Sequence, residues 1–102
     1  MQLVVRPKFY DDIVEESAWL AQNAGVEIAH RWHEAVWQTL GELDKFSLLG
    51  RERRDLTPPG TRSWRVNQFA RWLIFYTVRD DTIVFLRVRH GMMNLPALEL
   101  GD

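Results

Sequence analysis

The sequence predicts an α+β fold of order β-α-α-β-β-β, with a helical hairpin packed on one face of a small, mainly antiparallel sheet. Three observations predict it. Between Lys8 and Phe46, apolar residues recur at spacings of three and four, interrupted only around Gly25. Residues 71–78 and 82–90 are rich in β-branched and aromatic side chains and flank the polar turn Arg79, Asp80, Asp81. Two consecutive helices followed by a meander bury both apolar surfaces when the helices lie on the sheet.

The elements follow in order. Leu3-Val4-Val5 reads as a short strand, and Pro7 suits the first turn of a helix. The first helix places Phe9/Tyr10, Ile13/Val14, Ser17/Ala18 and Leu20/Ala21 on a common side. Asp11, Asp12, Glu15 and Glu16 are expected on its solvated face, where the helix dipole favours anions. Gly25 ends it. The second helix spans about 26–46, with Ile28/Ala29, Trp32, Ala35/Val36, Leu40, Leu43 and Phe46 in one stripe. His30 and His33 fall beside that stripe without metal-ligand spacing, so they read as helix-surface residues. Residues 47–61, with Gly50 and Pro58-Pro59-Gly60, read as a long loop. Residues 62–66 then form a strand with Trp64 and Val66 inward, and residues 67–70 link it to the next. In residues 71–78, Leu73 and Phe75 face one way, and Ile74, Tyr76 and Val78 the other. A strand apolar on both sides belongs inside a sheet. The last strand ends in Arg87, Arg89 and His90. At least three of the five tryptophans are expected in the core or half-buried.

The 102 residues are expected to make one domain, 1–102, with a short tail at 91–102 in which Pro96 opposes a long helix. No apolar run approaches the roughly 18 residues of a membrane span. The N-terminus lacks a secretory h-region, and cysteine is absent, which removes disulfides and thiolate metal sites. A cytoplasmic protein without cofactor or metal is the expectation. Charge is unevenly placed: residues 1–50 carry 4 Lys/Arg against 8 Asp/Glu, residues 51–102 carry 9 Arg against 6 Asp/Glu. Apart from Lys8 and Lys45 every cation is arginine, whose planar fork suits paired contacts to carboxylate or phosphate.

This order resembles the RelE and ParE toxin family of bacterial type II toxin–antitoxin systems over nearly the whole chain. The stretch that carries the resemblance best is Trp72-Leu73-Ile74-Phe75-Tyr76, the Asp80-Asp81 turn, Ile83 to Gly91, and Asn94-Leu95-Pro96. Arg87-Val88-Arg89-His90-Gly91 is most similar to ParE-like members, and Pro7 and Trp64-Arg65 follow the family's habit. The resemblance implies a toxin neutralised by a cognate antitoxin, with toxin–antitoxin heterotetramers or higher oligomers possible. ParE-like members inhibit DNA gyrase; RelE-like members cut mRNA on the ribosome.

For gyrase inhibition the chain needs a surface, not a catalytic set. Arg65, Arg71, Trp64, Trp72, Arg87 and Arg89 are the expected target- or antitoxin-binding residues, because tryptophan and arginine dominate interface hot spots. For the alternative, a ribosome-dependent mRNA endonuclease, His90 would serve as acid or base. Arg65, Arg87 and Arg89, with Arg71, would then stabilise phosphate charge, and Glu52 is a possible loop base. Gly91 stands where some nucleases place a tyrosine, and Tyr76 sits one strand earlier. The otherwise structural reading of His90 has it hydrogen-bonding the C-terminal segment. A third reading is an antitoxin-binding module that has lost toxicity.

Overall fold

The computed structural model describes residues 1–91 and Leu100. The elements are β1 (Gln2–Val5), α1 (Pro7–Ala24), α2 (Val26–Lys45), β2 (Arg51–Glu52), β3 (Arg62–Val66), β4 (Phe69–Arg79) and β5 (Thr82–His90). Pro7 occupies the first turn of α1, where its missing N–H is no loss. Gly25, at φ 102°, ends α1 and opens α2 in a backbone conformation that a side chain would oppose. The two helices therefore turn back on each other as an antiparallel hairpin, as the spacing predicts.

The five strands form one sheet in the order β1-β5-β4-β3-β2. β1 runs parallel to β5, while the remaining pairs are antiparallel. The helices cover one face. Phe9, Ile13 and Leu20 of α1 and Trp32, Val36, Leu40 and Leu43 of α2 meet Ile74, Tyr76, Ile83, Phe85 and Val88 there. On the other face Phe75 and Leu86 pack with Leu56 and Leu100, beside Leu73 and Val84. Both expected faces of β4 are therefore observed. In β5, Phe85 and Val88 both reach the helical core although they are three residues apart. A bulge allows this: Phe75 pairs with Arg87 but Tyr76 pairs with Phe85, leaving Leu86 as the extra residue.

The structure departs from the sequence reading in several places. Tyr10, Val14 and Phe46, expected on the apolar sides of the helices, are exposed, because the core stripe of α1 is the narrower set Phe9, Ile13 and Leu20 and Phe46 lies just past the end of α2. The expected loop at 47–61 contains β2, a two-residue strand paired with Arg62 and Ser63. Such a strand is too short and too charged to carry a periodic signal; it exists because β3 offers it an edge. β4 starts at Phe69, since Asn67 and Gln68 suffice as a turn with Gln68 at φ 67°. Asp12 does not face solvent: it is 2% exposed. Of the tail, only Gly91 and Leu100 lie within the described residues. Gly91 N–H donates to Arg71 O at 2.6 Å. The expectation at Pro96 lies outside the described residues.

Candidate functional site

β1 ends at Val5, so β5 runs on beyond its parallel partner. Arg6 N–H still donates to Phe85 O, at 3.0 Å. Past that point the β5 edge faces α1, and carboxylates replace the missing strand. Val88 N–H donates to Asp12 Oδ2 at 3.1 Å, and His90 N–H to Glu16 Oε1 at 3.3 Å. The fit is geometric. Four helical residues rise about 6 Å, and two strand residues advance about 6.6 Å, so acids at i and i+4 meet alternate edge amides.

The same carboxylates hold the cations. Asp12 accepts from Arg87 Nε at 2.7 Å, Arg87 Nη2 at 2.9 Å and Arg89 Nη1 at 3.2 Å, in addition to Val88 N–H. Four donors satisfy both oxygens of this buried carboxylate. Arg89 Nη1 also lies 3.1 Å from Glu15 Oε2. Burial works against the charge on Arg89, but Glu15, Glu16 and Asp12 outweigh it and raise its pKa above the ordinary guanidinium value. Glu16 Oε1 accepts from Trp72 Nε1 at 3.0 Å. Trp72 in turn meets His90 edge-on, with ring centroids 4.8 Å apart.

A second locked region lies at the opposite end of β4. Tyr76 is fully buried; its hydroxyl donates to Ser47 O and accepts from Gly50 N–H, both at 2.8 Å. Burial raises its pKa above the ordinary phenol value. A Cβ on Gly50 would sit 2.4 Å from that hydroxyl, so glycine is required by space. Arg62 Nη1 donates to Gly50 O at 2.6 Å. Arg53, buried, holds Asp55 at 2.7 Å and 3.0 Å and Ser63 Oγ at 3.2 Å. Its guanidinium holds the Asp55 carboxyl below the usual range.

The sequence-predicted residues thus separate into two groups. Arg87, Arg89 and Trp72 are gathered on α1, with His90 against Trp72. Arg65 and Arg71 are exposed. Cross-strand register pairs Arg65 with Leu73 and Leu73 with Arg89, but the Arg89 guanidinium turns to Asp12 and Glu15 of α1 while Arg65 stays exposed. Arg65 lies over the half-buried Trp64 ring at 4.9 Å. Glu52, the candidate loop base, is paired with exposed Arg54 at 3.3 Å. His30 and His33 are on the helix surface, as expected. Trp32 and Trp72 are in the core and Trp37 and Trp64 pack against it, which meets the expectation for tryptophan.

Sequence reasoning missed Asp12 and Glu16. A signal was present. Phe9, Ile13, Glu16 and Leu20 stand at core spacing, and Asp12 adjoins that stripe. A carboxylate in core phase needs a buried partner, and the cations ending β5 are the complement.

Comparison with known proteins agrees with this architecture. The family model described as "ParE toxin of type II toxin-antitoxin system, parDE" matches residues 3–95. Toxin ParE3 of Caulobacter vibrioides is 34% identical over 82 residues, covering 80% of this chain and 77% of that protein. A solved structure of the chromosomal ParDE toxin–antitoxin system from P. aeruginosa superposes with a TM-score of 0.74, covering 88% of this chain and 95% of that one. At 19% identity that last match speaks for the fold alone. With the family model matching residues 3–95, which take in both helices and nearly all of the described sheet, the chain belongs to the ParE family, the toxins of type II toxin–antitoxin systems.

Proposed function

We propose that this toxin inhibits DNA gyrase by protein–protein contact in the cytoplasm and is neutralised by a cognate antitoxin. One observation carries the choice of target. Two of the cations a ribonuclease would bring to a phosphate, Arg87 and Arg89, are instead held by the buried Asp12. Membership of the ParE family supports the same choice. Among the described residues no helix is long and apolar enough to cross a membrane.

The binding surface we assign is the sheet side bordered by Arg65 and Arg71, with Trp64 beneath Arg65. Exposed guanidinium groups there suit an acidic antitoxin segment. Trp72, Arg87 and Arg89 shape that end of the sheet from within. Heterotetramers or larger toxin–antitoxin assemblies fit the same reading.

The test is supercoiling of relaxed plasmid by gyrase with the purified toxin, with and without antitoxin. Dose-dependent loss of supercoiling, restored by antitoxin, is expected. Full gyrase activity at saturating toxin that still arrests growth would overturn the assignment. In that case mapped mRNA 5′ ends, and their loss in His90→Ala, would identify the endonuclease reading.

A further inference from the structure

Between the third turn of α1 and the ends of β4 and β5 lies a cleft of about 260 Å³, lined by Glu16, Trp19, Trp72, Arg89 and His90. Three of its walls are aromatic and steeply inclined to one another. Trp19 and Trp72 are 6.5 Å apart at 57°, and Trp72 and His90 are 4.8 Å apart at 82°. Trp19 is 52% exposed although its ring lies beside the core tryptophan Trp72, so about half of this residue remains open to solvent.

The cleft contains a carboxylate. Glu16 Oε1 is held by Trp72 Nε1 and by His90 N–H, so its position is fixed before any ligand arrives. The cation in the wall, Arg89, is engaged by two carboxylates of α1, Asp12 and Glu15, other than Glu16. Arg71, next to Trp72, alternates to the other sheet face. Rings at steep angles around a carboxylate recognise a positive charge carried on an alkyl stem, through the ring quadrupoles and the ion pair together.

We infer that this cleft binds a cationic side chain, arginine or lysine, presented by a partner chain, with Trp19 as the stacking face and Glu16 as the counter-ion. An anion is disfavoured there because it would meet the fixed Glu16 carboxylate. The site is separate from the exposed Arg65 and Arg71 surface, which suits the opposite charge. It does not depend on gyrase being the target.

The experiment is titration of the full chain, uniformly labelled with ¹⁵N, at constant ionic strength. Blocked arginine (acetylated and amidated), blocked lysine and inorganic phosphate are the probes. The readout is the five tryptophan indole N–H signals. Saturable shifts at Trp19 and Trp72, with Trp32 and Trp64 unmoved, are expected from the cations. The better of the two names the preferred head group. Trp19→Ala, read at Trp72, should weaken binding about threefold to fivefold, the worth of one exposed cation–π contact. Glu16→Gln still offers a side-chain oxygen to accept from Trp72 Nε1 and His90 N–H but removes the charge, and should weaken binding at least as much. Saturation by phosphate in place of the cations would overturn the proposal. So would shifts that rise linearly to the solubility limit, or affinities unchanged in both variants.

Discussion

Arg87 and Arg89 at the end of β5 and Arg65 and Arg71 on β3 and β4 are chemically the same, yet the fold treats them in opposite ways. The first pair is drawn onto α1 by a carboxylate that is 2% exposed. The second pair is left at the surface. Sequence position near a strand end therefore does not distinguish a binding arginine from a structural one. The partner does: an acid on a neighbouring element, in core phase, makes the cation part of the interior.

The sharpest way to break this contrast is to remove the acid. Asp12→Ala leaves the guanidinium groups and the Val88 amide without their shared acceptor. Loss of one member of a buried ion pair is expected to destabilise the chain by on the order of 3 kcal/mol, seen as a lower urea midpoint. A variant as stable as the parent would show that the cluster contributes nothing. Growth assays on that variant would report folding as well as target binding.

A smaller effect is expected at the other locked end. Tyr76→Phe removes two hydrogen bonds and leaves Ser47 O and Gly50 N–H to find water, costing about 1–2 kcal/mol. The phenol's raised pKa adds a pH signature. Its contribution is complete below the ordinary phenol value and is lost as pH rises through the folded one. The parent should therefore lose stability above about pH 10 more steeply than Tyr76→Phe, in urea melts across that range. Parallel slopes would assign the alkaline loss to other groups.

The smallest effect on stability is expected at the exposed pair. Arg65→Glu with Arg71→Glu should stay within roughly 0.5 kcal/mol of the parent, yet weaken antitoxin binding at low salt, with the difference shrinking as salt is added. Unchanged affinity by titration calorimetry at low ionic strength would remove these residues from the interface.

Much of the fold was legible because periodicity is a local signal. Gly25, the stripe from Trp32 to Leu43, the two faces of β4 and the turn at Asp80 and Asp81 all declare themselves within a few residues. β2 did not, because it exists only by borrowing the edge of β3. The candidate site was legible as a list of side chains but not as a circuit. Arg87 to Asp12 spans 75 positions, and Tyr76 to Ser47 and Gly50 spans 29 and 26. Such pairings become visible only when the helix is laid beside the strand, although the acids in core phase on α1 were their local trace.

The carboxylates of Asp12 and Glu16 also decide where the sheet can grow. An open β-edge is a template for any other extended chain. By occupying the outward amides of Val88 and His90, α1 acts as a counterfeit strand, and the end of β5 is sealed against further pairing. Among the described residues, the edges left for strand addition lie at the two flanks: the outer side of β1, and the outer side of β2 with the part of β3 beyond its short reach. A partner that binds as an added strand is thereby directed to those flanks, since at the end of β5 it would have to displace Asp12 and Glu16 from the Val88 and His90 amides.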